Sequence, residues 1–234
     1  MSNPPAKWQD SPVVAPFVPT NIWRYCGLKN LNNTCYSNAC LQALYTSNKT
    51  RNQLINNPQA GPFHHTLSNL FSRMFQQPLH QSSGGHWYFP SISPVKFNSQ
   101  FRLTRPEFKH GQQHDAQEFL NFLLDVLHQE TNRARTRQLN PTAMPVLNTP
   151  EEAWQYHTTY VDDSPYSMIF MGQMESTLTC LSCGHRSRTW NCFWQLQLSL
   201  TGNSGTSGQA VAQQNTRPLS VNDCLQELMA EEVI

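Results

Sequence analysis

Residues 115–130 constrain this chain more than any other stretch. Ala116, Phe119, Leu120, Leu123, Leu124, Val126 and Leu127 recur at helical spacing and form a wide apolar stripe. Such a stripe has to be covered, so the chain is expected to pack a core around this helix. The 234 residues suffice for one large domain or two small ones. Hydrophobic residues, at 38%, supply that core, while a charged fraction of only 13% leaves the polar surface to Gln, Asn, Ser and Thr.

A net charge of +1 gives no electrostatic case for nucleic acid or an anionic membrane. No stretch approaches the roughly 18 apolar residues of a membrane span, and the first twenty residues lack the apolar segment of a secretory signal. Seven cysteines, an odd number, are therefore expected to stay reduced in an intracellular setting, cytoplasmic or nuclear. Both a thiolate nucleophile and a metal site remain open.

Residues 1–21, rich in Pro, Ser and Asn, read as a disordered leader. A polar turn over 26–34 precedes a helix over 35–47, with Thr34 or Asn33 as its N-cap. Further helices are expected over 67–75, 92–101 and 151–160. Loops are expected over 78–91 and 131–150. Strands are expected over 167–180 and 186–200, the latter ending in Gln195–Leu200 with period-two alternation. Residues 201–216 read as a flexible Gly/Ser/Gln insertion, and 221–232 as a last helix with Asp223 near its start. Helices first and strands later imply an α+β fold.

Cys35 stands where the polar turn meets the helix. The thiolate is the reactive form, and a helix N-terminus favours an anion by about 0.3–1 kcal/mol at exposed sites. That is too little for full activation, which calls for a histidine partner. Asn30 lies upstream, where its amide could face a developing oxyanion beside the backbone N–H of Cys35. A lone cysteine at a helix start is ordinarily a small buried residue. The context here argues otherwise. The run Gly27-Leu28-Lys29-Asn30-Leu31-Asn32-Asn33-Thr34-Cys35-Tyr36-Ser37-Asn38, with Leu41-Gln42 after it, resembles the cysteine box of the ubiquitin-specific proteases. These are papain-like deubiquitinases, peptidase family C19. The sequence departs from their pattern at Asn32, where the family has Gly, and at Ala39, where it has Ser. The Gly position requires positive φ, which Asn tolerates best among other residues.

Gln113-His114-Asp115-Ala116-Gln117-Glu118-Phe119-Leu120 opens the strong helix. Asp115 fits an N-cap, with Glu118 three residues on as in a variant capping box. The string also resembles the family's second signature, which lines the channel for the ubiquitin tail. The resemblance implies that Gln113, Asp115 and Glu118 bind substrate, the two acids by charge-assisted bonds to the tail's arginines. His114 is rejected as a general base, because the resemblance implies a histidine from a later strand. Gly84-Gly85-His86-Trp87-Tyr88 imitates the family's histidine box but lies in the wrong order, and an aromatic-rich loop explains it better.

Cys180-Leu181-Ser182-Cys183 places two thiols on one tight turn, half of a tetrahedral zinc site. The resemblance implies the first knuckle of a zinc ribbon; a redox dithiol is the usual rival. With Cys192 and Cys224 read as ordinary apolar residues, zinc is expected to bind this chain weakly or not at all.

The resemblance thus implies a partial catalytic domain over 22–234. A helical thumb would span about 26–160 and the start of a β-rich fingers region about 161–234, with most of the palm and the catalytic histidine expected beyond Ile234. It implies hydrolysis of the isopeptide or peptide bond after ubiquitin's terminal glycine. Cys35 is the nucleophile, Asn30 an oxyanion donor, and no cofactor takes part. Ubiquitin and ubiquitinated proteins are the implied partners. Two alternatives stand beside this: a catalytically inactive ubiquitin-binding fragment, and a zinc-binding interaction protein. The isolated chain is expected to show little hydrolase activity.

Overall fold

The computed structural model describes residues 26–57, 60–78, 80–137, 145–199 and 220–230. The expected leader and the 201–216 insertion lie outside them. The described chain runs α1 (Cys35–Thr46), α2 (Asn48–Asn56), α3 (Pro62–Gln76), β1 (His80–Gln81), β2 (Trp87–Tyr88), α4 (Val95–Thr104) and α5 (Ala116–Thr131). A 3-10 turn (Arg133–Thr136), α6 (Pro150–Tyr160), α7 (Ser167–Phe170), β3 (Gly172–Thr179), β4 (Arg186–Phe193) and α8 (Val221–Leu228) follow.

Helix α5 is the centre of the core, as its stripe demands. Phe119, Leu123 and Leu127 are fully buried, beside Leu41 of α1 and Leu67 and Phe71 of α3. Phe101 of α4 meets Phe119 with ring centroids 4.7 Å apart and Phe108 at 5.1 Å, spacings at which edge-to-face and tilted rings attract beyond their buried area. Asp115 caps α5, its Oδ1 accepting the Glu118 N–H at 2.9 Å.

The helix expected over 67–75 begins earlier, at Pro62, because proline fits the first helical position, where its missing N–H costs nothing. The helix expected from residue 92 begins at Val95. Residues before Pro94 are held extended, and Ile92 forms a parallel bridge with Leu28 instead. The expected 78–91 loop contains the small β1–β2 hairpin, and His86 lies in its connection. The strand expected over 167–180 is divided into the short helix α7 and β3. The alternation at Gln195–Leu200 forms no strand in its described residues, 195–199. Period two alone supplies no neighbouring strand; Gln195 Oε1 instead accepts a bond from Gln117 Nε2 at 3.2 Å. The last helix ends at Leu228 rather than 232, and Ser220 with Asp223 forms a reciprocal capping box at its start.

Strands β3 and β4 pair antiparallel from Gly172↔Phe193 to Thr179↔Arg186. The hairpin is anchored at its base, where Gln173 Nε2 donates to the Pro150 carbonyl at 3.1 Å, and is exposed towards its tip.

Candidate active site

Cys35 is the first residue of α1 and its side chain is exposed. Thr34 occupies the N-cap position, one of the two expected, but makes no side-chain cap bond. Its Oγ1 accepts the Leu31 N–H at 2.9 Å instead, closing the turn on itself. No acidic residue sits in the first turn. The first N–H groups of a helix have no intrahelical acceptor. Here neither the cap nor a carboxylate neutralises them, so the positive end of α1 is offered to an anion at Cys35.

Asn30 is tied into the same turn. Its Oδ1 accepts the Thr34 N–H at 3.0 Å and lies 3.3 Å from Thr34 Oγ1. A backbone N–H can only donate, so the contact fixes which end of the amide is oxygen. The Nδ2 donor end is the one left over. Asn32 and Asn33 both have positive φ, 66° and 59°. The family's glycine position is therefore a left-handed one, and asparagine fills it as expected.

The turn is fastened on either side. Asn38 Nδ2 donates to the Lys29 carbonyl at 3.2 Å, and Gln42 Nε2 to the Cys26 carbonyl at 2.7 Å. On the other side Asn33 Nδ2 donates to the Gly111 carbonyl at 2.8 Å. The Tyr36 ring sits 5.4 Å from the His114 ring and 5.5 Å from Phe119. Cys40 Sγ lies 3.2 Å from the Ala116 carbonyl. The cysteine box and the α5 box are thus brought side by side. Gln113, Asp115 and Glu118 are exposed beside that junction. Glu118 gives Asp115 its capping N–H, and its side chain returns no bond to complete a capping box.

Cys26 and Cys40 are buried, and burial pushes both thiols up, away from the thiolate. Among the described residues no histidine is hydrogen-bonded to Cys35. His114 packs its ring against Tyr36 and Phe108, and its Nε2 is buried without a hydrogen-bond partner.

Cys180 and Cys183 lie in the turn between β3 and β4, both exposed. The Cys183 backbone N–H, its side chain and the Ser182 N–H hold the Cys180 thiol below its usual range. Gly184, at φ 68°, completes the knuckle. Two such thiols fit half of a tetrahedral zinc site; among the described residues no cluster of three or more metal-binding side chains completes it.

One constellation had no signal in the sequence. His128 Nδ1 meets Ser164 Oγ at 2.8 Å and its Nε2 meets Asp162 at 3.0 Å, while His157 meets the other oxygen of Asp162 at 2.9 Å. His128 and Asp162 border a cavity of about 510 Å³ beside α5, which Trp194 also lines. The order Ser–His–Asp imitates a catalytic triad, but Ser164 is fully buried and accepts the Ser167 N–H. It fastens the end of α5 to α7 and is no nucleophile.

Among the described residues, helices around a cysteine at a helix start, with two small antiparallel sheets, form a mixed helix-and-sheet layout that is consistent with a papain-like domain. The family described as "Ubiquitin carboxyl-terminal hydrolase" matches residues 26–226. Human "Ubiquitin carboxyl-terminal hydrolase 2" is 31% identical over 217 residues, covering 89% of this chain and 33% of the relative. The chicken protein of that name is 32% identical over the same length, covering 89% and 56%. "Ubiquitin carboxyl-terminal hydrolase 15" of Xenopus tropicalis is 34% identical over 191 residues, covering 75% and 18%. This chain belongs to the ubiquitin carboxyl-terminal hydrolase family, and it spans about a third of the human relative's length.

Proposed function

We propose that this chain carries the nucleophile of a cysteine-type deubiquitinase. The observation that carries the reading is Cys35, exposed at the uncapped start of α1 in a turn anchored by Asn30. Cys35 Sγ attacks the carbonyl of ubiquitin's terminal glycine. The charge that develops on the carbonyl oxygen is met by the Cys35 backbone N–H and by Asn30 Nδ2. Collapse breaks the C–N bond, the lysine or α-amine leaving with the proton that the thiol gave up, and the thioester left on Cys35 is hydrolysed by water to ubiquitin's free carboxylate and the restored thiol. Gln113, Asp115 and Glu118 receive the ubiquitin tail, the carboxylates pairing with its arginines.

In this reading residues from about 26 to 160 form the thumb and those from about 161 to 234 begin the fingers. Together with ligands from outside the described residues, Cys180 and Cys183 would hold a structural zinc ion, whereas alone they would bind it weakly or not at all, and catalysis needs no cofactor. Ubiquitin and ubiquitinated proteins are the partners, and neither nucleic acid nor membrane takes part. A reducing cytoplasmic or nuclear setting keeps the thiols available. The test is reaction with ubiquitin bearing a C-terminal electrophile. Covalent capture at Cys35, lost on Cys35→Ala and retained on Cys180→Ala, supports the reading; capture elsewhere, or none, overturns it.

A further inference from the structure

A hydrogen bond that crosses 78 residues of sequence, from Asn33 Nδ2 to the Gly111 carbonyl, ties the nucleophile turn to the segment just before the substrate box. We propose that this bond is a positioning device: Asn33 sets where Cys35 stands relative to the start of α5, and Gly111 is its fixed point. The inference rests on the deubiquitinase reading for its substrate but not for its geometry.

Three observations carry it. Asn33 is the second of two consecutive left-handed residues, and Cys35 follows it with only Thr34 between. A rotation at Asn33 would therefore swing Cys35 directly. Asn tolerates φ 59° better than other non-glycine residues, so the turn can form there while its side chain makes the tie. The internal tie from Asn30 to Thr34 closes the turn but gives no reference outside it. The bond to Gly111 supplies that reference, just before Gln113 and Asp115.

Gly111 is itself specialised. Its φ is 78°, a backbone conformation that other residues rarely adopt, and a Cβ there would lie 2.9 Å from Asn32 Nδ2, so the end of that side chain would have to move aside. Asn32 and Asn33 thus present a steric and a hydrogen-bonding contact to the same glycine. The tie is needed because reacting atoms must meet at near-contact distance, and a misplacement of about 1 Å can cost on the order of a hundredfold in rate.

The test compares Asn33→Gly with the unaltered chain. Glycine accepts positive φ freely, so this change removes the tie while leaving the turn sterically allowed. With the ubiquitin electrophile, the maximal rate of Cys35 modification is expected to fall about ten- to a hundredfold. The half-saturating probe concentration is expected to move less than about twofold, because the binding surface is untouched. Asn33→Asp, which keeps the shape but replaces the donor with an acceptor, is expected to behave in the same way. An unchanged maximal rate, or a loss confined to half-saturation, overturns the proposal. If the unaltered chain is not captured by the ubiquitin probe, the deubiquitinase reading fails instead. Alkylation of Cys35 by iodoacetamide, mapped by peptide mass spectrometry, then decides the positioning role. A several-fold slower rate in both variants supports it, and equal rates overturn it.

Discussion

Glu130 reaches the start of α3 through a space that Gly61 leaves open. Its carboxylate accepts the Phe63 N–H at 2.9 Å and the His64 N–H at 2.7 Å, while a Cβ at residue 61 would lie 2.4 Å from Glu130 Cδ. A carboxylate in the last turn of α5 is disfavoured by that helix's own dipole. Two charge-assisted bonds at the positive end of a second helix outweigh this. The core helix thereby caps its neighbour.

Removing the acceptor should expose the cost. Glu130→Ala is expected to lose about 1–3 kcal/mol in urea unfolding, since two partly buried N–H groups are left unsatisfied. Gly61→Ala should destabilise as well, because the added methyl displaces the carboxylate. In a double-mutant cycle the second change should cost less once the first is made, and strict additivity would separate the two effects.

His64 should make the fold sensitive to acid. It is fully buried, and burial, the larger cause, with the nearby His65 pushes its pKa down to about 4 from 6.5. Its ring nitrogens have no hydrogen-bond partner. The unfolded chain therefore takes up a proton before the folded one does. Stability from this group is fully present above pH 6.5 and declines as pH falls from there towards 4. Thermal unfolding across that window should show the decline, and His64→Leu should flatten it.

In a form of the protein that supplies the expected histidine, Asn30→Ala should reduce hydrolysis of a ubiquitin C-terminal amide about 10²–10³-fold in kcat if its Nδ2 meets the oxyanion. KM should move little. A change in KM alone would place Asn30 in substrate binding instead.

At the hairpin turn, Cys180 should alkylate faster than Cys183 at neutral pH. Its thiolate is held by the Cys183 and Ser182 N–H groups, and both cysteines are exposed, so access does not decide the order. Timed iodoacetamide labelling with peptide mapping reads the order directly.

What could be read from the sequence followed from how local each signal was. Helix α5 was legible because its stripe and its Asp115 cap lie within one segment. The left-handed Asn32 was legible from a family pattern that has glycine there. Helix α2 was not, since Asn48–Asn56 buries only Thr50 and Leu54 and shows no apolar period. The Asn33–Gly111 bond, the Glu130 cap and the His128–Asp162–His157 cluster join residues from separate elements, and no local pattern announces them. The alternation at Gln195–Leu200 misled for the opposite reason: a local pattern was present, and among the described residues it has no pairing partner.

The β3–β4 hairpin has a mechanical consequence. Eight residues per strand give an arm of about 26 Å at roughly 3.3 Å per residue. At its root the Phe193 ring is pressed so close to Gly172 that a Cβ there would lie 2.5 Å from Cζ. A stiff ribbon on so tight a fulcrum converts small rotations into large excursions, about 0.5 Å at the tip for each degree at the root. Any group bound at the cysteine turn is therefore carried on a lever, whose root is held by the packing of Phe193 on Gly172 and by the bond from Gln173 to Pro150.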